Sequence, residues 1–266
     1  MHRRSPSIRL TCFGKTDVGR RRELNEDTFY YSDRDGFAVV ADGMGGRDFG
    51  EVASSLCVST LNKSFKKYFP ATIRGHAMQD DDIIATVVEQ TLDTWVRDMN
   101  VVVYEFGTID TRYREMGTTL ALVFHQEDFI AVAHVGDSRV YRVRAGVIEQ
   151  VTEDHSFVNA QLRAGLITEE EALHSQHKNI ITRAIGTRAA VKADVAVHPA
   201  EAGDLYLICS DGLSDLVEGH EMLETLRDEE MDLERGVQAL IDLANARGGK
   251  DNITVVLCRL DPDSPE

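Results

Sequence analysis

Phe37-Ala38-Val39-Val40-Ala41 runs directly into Asp42-Gly43, and Leu205-Tyr206-Leu207-Ile208-Cys209-Ser210 runs in the same way into Asp211-Gly212. Each stretch reads as a buried strand that delivers a carboxylate at its tip. Two further acidic tips are Asn25-Glu26-Asp27 and Asp251-Asn252, the latter just before the apolar run Ile253 to Leu257. Four carboxylate-bearing strand ends converging on one point repel each other unless a cation sits among them.

Outward from these tips the pattern alternates in blocks, with β-type runs, two long helices and then more strands, which predicts a mixed fold with antiparallel sheets. From about Glu51 to Phe69 the apolar residues Val52, Ala53, Leu56, Cys57, Leu61 and Phe65 keep helical spacing. A longer helix follows, carried by Ile83, Val87, Val88, Leu92, Trp95, Val96, Met99, Val103 and Phe106, with Asp80-Asp81-Asp82 at its positive end. Thr118 to His125, Phe129 to Val135 and Ser138 to Val143 read as a three-stranded meander whose second turn, Gly136-Asp137-Ser138-Arg139, offers another acid. Residues 156–187 are polar and irregular and read as an inserted flap. Strands resume at Lys192 to His198 and Asp204 to Ser210, then helices at about Glu218 to Arg227 and Asp232 to Ala246, and a last strand from Asn252 to Leu260. The whole chain, 1–266, is expected to be one domain, with a frayed tail from Asp261.

Composition narrows the function. With 266 residues, 42% of them hydrophobic, the chain can bury a sizeable core. Its 29 basic against 45 acidic residues give a net charge of −16, which opposes a nucleic-acid backbone or an anionic membrane as partner. No apolar stretch is long enough to span a bilayer, and the basic start Met1-His2-Arg3-Arg4 has no apolar run behind it, so the expected location is the cytoplasm. Cys12, Cys57, Cys209 and Cys258 are scattered and form no C-x-x-C, so they read as reduced core thiols.

Several catalytic motifs are absent: G-x-S-x-G, H-E-x-x-H, the Walker A loop and zinc-like Cys/His pairs. Gly43-Met44-Gly45-Gly46 follows a strand and precedes a helix, but a dinucleotide fingerprint would need glycine where Asp48 stands. What these glycines permit is a close approach of backbone to whatever Asp42 binds, so that the Gly43 carbonyl becomes a ligand. Ligands that are all hard oxygens favour Mg²⁺ or Mn²⁺ over Zn²⁺. A shared Asp could bridge two such ions about 3.5–4 Å apart, an arrangement that hydrolyses phosphoesters.

Six motifs then stand in one order. Val18-Gly19-(x)2-Arg22-(x)2-Asn25-Glu26-Asp27, Ala41-Asp42-Gly43-Met44-Gly45-Gly46 with Gly50-Glu51-x-Ala53-Ser54, Gly117-Thr118-Thr119-Leu120, Val135-Gly136-Asp137-Ser138-Arg139, Ser210-Asp211-Gly212-Leu213 and Asp251-Asn252-Ile253-Thr254 span residues of about 16 to 257. Together they resemble the ordered motifs of the bacterial type 2C (PPM) metal-dependent protein serine/threonine phosphatases.

The resemblance implies an α+β fold, a four-layer α-β-β-α sandwich of two antiparallel sheets flanked by helix pairs. It implies an enzyme that hydrolyses phosphoserine and phosphothreonine through a hydroxide bridging two Mn²⁺ or Mg²⁺ ions. Carried over position by position, Asp42 bridges both ions, the Gly43 carbonyl binds one, and Asp211 and Asp251 bind the other. Glu26 and Asp27 act through metal-bound waters, Asp137 with Asp211 fits a third ion near the flap, and Arg22 holds the phosphate. The last role agrees with chemistry, because a guanidinium offers planar, bidentate donors to phosphate oxygens.

The chain departs from the wider family at Met44, where many eukaryotic members carry a His proposed as the leaving-group acid; Met has no proton to give. Arg47 stands where bacterial relatives often have His. His134, His155, His174, His177 and His198 read as structural or surface residues, and Ser138 and Ser210 as bonding local backbone. Gly212 reads as a plain turn residue. The partners implied are phosphorylated proteins made by a Ser/Thr kinase, acted on by a monomer without nucleic acid or membrane. Two other readings stay open on sequence: a catalytically silent binding or sensing module of the same fold, and a hydrolase of small phosphoesters.

Overall fold

β3 (Phe37–Met44) is buried along most of its length because both its faces are covered. Phe37, Val39 and Ala41 enter a core shared with helices, while Ala38 and Val40 enter a second core between two sheets. β10 (Leu205–Cys209) repeats the arrangement, with Tyr206 and Ile208 between the sheets and Leu207 and Cys209 under helices. A strand covered on both faces loses its polar alternation, which is why the two deciding stretches are unbroken apolar runs.

The computed structural model describes residues 8–45, 49–74, 81–177, 179–227 and 232–262; Arg47, Asp80, the basic start and most of the acidic tail lie outside them. One sheet holds β1 (Ile8–Asp17), β11 (Ile253–Pro262), β10, β7 (Arg139–Arg144) and β8 (Val147–Gln150) in that order. The other holds β2 (Asp27–Ser32), β3, β5 (Leu120–Gln126), β6 (Phe129–Val135) and β9 (Asp194–Pro199), with the short β4 (Gly117–Thr118) added to β3. The strand pairs are antiparallel. The two long helices α1 (Gly50–Arg74) and α2 (Asp81–Ile109) cover the second sheet through Phe65, Leu92, Trp95 and Met99. Across the other face lie α5 (Asp211–Ser214), α6 (Gly219–Thr225) and α7 (Leu233–Ala246), which bury Leu213, Met222, Val237, Leu240 and Ile241. The layers are therefore helix, sheet, sheet, helix, the α+β sandwich that the motifs implied. Burying each such large side chain contributes about 1.5–3 kcal/mol.

The expected meander is corrected. β5 and β6 form a hairpin, but β7 leaves them and pairs with β10 in the opposite sheet. Gly136, with φ +105°, makes that crossing, so the turn at Asp137 joins the two sheets. Period-two burial is the same in either sheet, so the pattern carries no sign of the crossing. β8 is a further strand that the sequence pattern does not mark; Ala145 and Gly146, both with positive φ, form the two-residue turn that returns it onto β7.

Residues 156–187 leave the sandwich between β8 and β9. They carry α3 (Phe157–Arg163), capped by Ser156, and α4 (Glu169–Leu173), opened by a capping box of Thr168 and Glu171. Bridges between Ser156 and Ile181 and between Thr118 and Ile185 close its base. Among the described residues no helix is long and apolar enough to cross a membrane.

Candidate metal centre

The antiparallel register of β2 and β3 places Asp27 directly opposite Asp42. The crossing turn after β6 brings Asp137 to the same end of the sandwich, and α5 opens with Asp211 directly after β10. Asp251 completes the group from the turn before β11. Asp42 is thus not at a strand tip but within β3, two residues before its end, because Gly43 and Met44 go on to pair with Thr118 and Gly117.

The convergence is visible electrostatically. Burial above all, then the charges of Asp27, Asp211, Asp137 and Asp251, push the Asp42 carboxyl well above its ordinary range. Asp211 is pushed up in the same way by burial and then by Asp137, Asp215, Asp251 and Asp27. Burial lifts Asp27 and Asp137 to about 6 each, in Asp27 against the opposing hydrogen bonds from Thr254 and Ser210, in Asp137 with help from Asp154.

Hydrogen bonds hold the Asp27 carboxylate and the backbone around Asp42 and Asp251 in place. Ser210 Oγ and Thr254 Oγ1 donate to Asp27 Oδ2 at 2.8 and 2.6 Å. The Asp42 amide donates to Thr119 Oγ1 at 2.9 Å, and its carbonyl accepts from the Thr119 amide and the Thr118 hydroxyl. Asn252 donates to the carbonyls of Val18 and Leu24 and accepts from the Glu26 amide at 2.8 Å, which folds the Arg22 loop against Asp251.

Glycines permit the close approaches. A Cβ on Gly43 would lie 2.1 Å from the Gly50 carbonyl oxygen and 2.5 Å from that of Glu26. A Cβ on Gly212 would lie 1.9 Å from the Asn252 carbonyl oxygen, so Gly212 is more than a turn residue: it lets the carriers of Asp211 and Asp251 touch.

Oxygens Oδ1 of Asp27, Asp137 and Asp211 are buried and have no hydrogen-bond partner. A buried anionic oxygen without a donor is costly, and five converging carboxylates compound that cost. All the donors are hard oxygens, so the residues present fit a Mg²⁺ or Mn²⁺ centre.

Arg22 and Glu26 stand beside this group. Half-exposed Arg22 places Nη2 2.7 Å from Asp251 Oδ2 and Nη1 3.9 Å from Glu26 Oε2. Glu26 Oε1 in turn accepts from the Gly50 amide at 2.9 Å, at the positive N-terminus of α1. A groove of about 730 Å³ runs from Asp137, Asp211 and Asp215 to Arg139, Asp154 and Asn159 at the base of the flap.

Sequence reasoning missed the supporting hydroxyls. Ser210 bonds a carboxylate from another sheet rather than local backbone, and Ser138 bonds Thr119 at 2.6 Å. Thr254 closes the last of the six motifs, but nothing in the sequence ties it to Asp27. Of the histidines, His134 and His155 are buried structural residues and His174 and His177 are exposed, while the buried Nε2 of His198 has no hydrogen-bond partner among the described residues. Buried His155 accepts the Gly136 amide on Nδ1 at 3.0 Å, so Nε2 carries the proton and donates to Asp194 Oδ2 at 3.1 Å. His134, stacked on it, donates from Nε2 to the Glu153 carbonyl. The Gly136 amide takes the lone pair that a metal-bound, Nδ1-protonated His155 would have to give up, so His155 and Asp194 form a hydrogen-bonded pair, with His134 stacked on the imidazole, rather than a second metal site.

The sequence profile of the family described as protein phosphatase 2C matches residues 18–257. A serine/threonine phosphatase stp of Listeria monocytogenes is 35% identical over 254 residues, covering 93% of this chain and 94% of that protein. The crystal structure of the Mycobacterium tuberculosis serine/threonine phosphatase PstP/Ppp superposes with a TM-score of 0.83 at 33% identity, covering 95% and 99% of the two chains. A catalytic domain of the serine/threonine protein phosphatase PstP, solved in complex with two manganese ions, superposes with a TM-score of 0.80 at 33% identity over 96% and 99%.

Proposed function

The chain belongs to the protein phosphatase 2C family, and we infer that the carboxylate cluster at the end of the sandwich is its catalytic metal centre. The protein is a metal-dependent serine/threonine phosphatase whose substrates are phosphoproteins. In our reading Asp42, the Gly43 carbonyl, Asp211 and Asp251 hold a core pair of Mn²⁺ or Mg²⁺ ions, and Asp137 with Asp211 takes a third. The observation that carries this is the set of orphaned, buried oxygens on Asp27, Asp137 and Asp211.

Cations bound there supply charge neutralisation for the phosphoryl oxygens and a water acidic enough to attack phosphorus. The rest is the work of this chain. Thr119, with its amide and hydroxyl both on the Asp42 backbone, fixes the stretch of main chain that carries the carboxylate facing all the others. Asp27, held by Ser210 and Thr254, presents its other oxygen to the centre as an acceptor for water, and Glu26 does the same while capping α1. Arg22, on a half-exposed side chain held at the rim by Asp251, offers paired N–H donors to a phosphate. Met44 gives no proton, so protonation of the leaving serine or threonine oxygen falls to solvent or another acid.

The flap, residues 156–187, supplies one wall of the groove beside Asp137, and we assign it the choice among phosphopeptides. The natural occupants are proteins phosphorylated by a Ser/Thr kinase, met in the cytoplasm by a monomer.

The test is turnover of a phosphothreonine peptide together with calorimetric titration of Mn²⁺. Activity should require the cation, be lost with EDTA, and fall by at least 10²-fold in Asp211→Asn along with weaker Mn²⁺ binding. Full activity and unchanged binding in that variant would remove the assignment.

A further inference from the structure

Cys12 in β1 and Cys258 in β11 are directly opposite one another in the antiparallel register, 246 residues apart in sequence. Both side chains enter the core between the sheets. Their sulfurs stand 2.7 Å apart, closer than nonbonded sulfurs pack and a short displacement from the ~2.05 Å of a disulfide.

The backbone at this pair suits a covalent bond. The Cys12 amide points away from β11, donating to Asp33 Oδ1 at 2.9 Å. Two residues on from Cys258, the Leu260 amide and carbonyl also face away from β1, toward Asp204 and Gly203. Cys12 and Cys258 are therefore a non-hydrogen-bonded pair, the type in which opposed Cα atoms are about 4.5 Å apart and side chains come closest. That separation lies within the range disulfides span. The other two cysteines have no such partner: Cys57 packs on Met99 Sδ at 3.8 Å and Cys209 lies under the α5–α7 layer.

We propose that Cys12 and Cys258 form a cross-strand disulfide, made in exchange with a small disulfide of the glutathione class, which staples the first strand of the sandwich to the last. One cysteine thiolate attacks the small disulfide and releases one small thiol; the second cysteine displaces the other from the mixed disulfide. Two cysteine thiols are oxidised to one S–S bond and the small disulfide is reduced to two thiols, so electrons and protons balance. Exchange with the folded protein is slow, because burial first, and then the neighbouring Cys258 thiol, hold Cys12 protonated. It proceeds when the edge strand β1 opens or during folding.

The staple lies five register steps, ~17 Å, from the Asp17–Ile253 end of the strand pair, where the carboxylates gather. It therefore acts on stability and leaves turnover unchanged. The protein is refolded in oxidised glutathione and, separately, in a reducing buffer. Expected after oxidation are a mass loss of two hydrogens, two of the four thiols titratable after denaturation, a linked peptide pair containing Cys12 and Cys258, and a Tm higher by about 5–10 °C. Phosphopeptide turnover should agree within twofold between the two forms, so a failure of the phosphatase reading leaves the mass and thiol measurements intact. Cys258→Ala should lose the oxidant-dependent Tm rise and Cys57→Ala should keep it. Four free thiols after oxidative refolding, or a bond to Cys57 or Cys209, would overturn the proposal.

Discussion

Replacing Asp27 by Asn tests the claim that the carboxylate cluster is held together against its own charge. Asn copies the protonated acid: its Oδ1 can still accept from Ser210 and Thr254 while its amide faces the other carboxylates. Burial holds the folded pKa of Asp27 near 6 against an ordinary 3.8. A folded pKa above the unfolded one means that the folded state binds more protons between those values, so stability falls as pH rises through that window. The charge then costs about 1 kcal/mol near pH 4.5 and about 3 kcal/mol above pH 6, where the loss is complete. Whole-protein slopes mix this with Asp42, Asp137 and Asp211, which burial raises in the same direction, and with His155, whose burial lowers it to about 4 and whose contribution rises with pH over much of the same range. The difference between variant and parent cancels the His155 contribution and adds the relief of Asp42 and Asp211, whose carboxyls the Asp27 charge helps to raise. In EDTA, urea unfolding should show Asp27→Asn gaining on the parent by about 2 kcal/mol between pH 4.5 and 7.5, or roughly 4–8 °C in Tm. With saturating Mn²⁺ at pH 7.5 the order should reverse, because the parent gains the larger binding stabilisation. A difference that does not change with pH, or the same order with and without Mn²⁺, would refute the reasoning.

Other outcomes follow from single contacts. Arg22→Ala should raise KM for a phosphopeptide about tenfold with kcat within threefold, read by steady-state kinetics; a normal KM would take Arg22 out of the phosphate site. Gly212→Ala drives a methyl onto the Asn252 carbonyl, and equilibrium unfolding should show a loss of at least 3 kcal/mol together with weaker Mn²⁺ binding. His155→Asn retains an acceptor for the Gly136 amide whereas His155→Ala does not, so urea midpoints should place the Asn variant about 1–2 kcal/mol above the Ala variant. Exchanging residues 157–176 for the corresponding segment of a relative should change the ranking among phosphothreonine peptides while activity on p-nitrophenyl phosphate stays within threefold.

What the sequence disclosed and what it hid divide along the reach of the interactions. β3 and β10 were legible because a strand covered on both faces must be apolar throughout, and their acids were legible because Asp-Gly after such a run is conspicuous. The crossing at Gly136 was not, because Val135 and Val140 are equally buried whichever sheet β7 joins. Nor were the hydroxyls: Ser210 and Thr254 reach Asp27 across 183 and 227 residues, and no local spacing encodes that. Gly212 shows the same limit in another form. Its neighbours suggest only a turn, and its need for a missing Cβ comes from Asn252, forty residues on and in the adjacent strand connection. Cys12 and Cys258 carry the point furthest. Scattered cysteines in a core-forming pattern read as inert thiols, yet the closing strand pair sets two of them face to face. Local chemistry names the groups a fold can use; antiparallel register decides which of them meet, and the carboxylate centre and the sulfur pair are both products of that register.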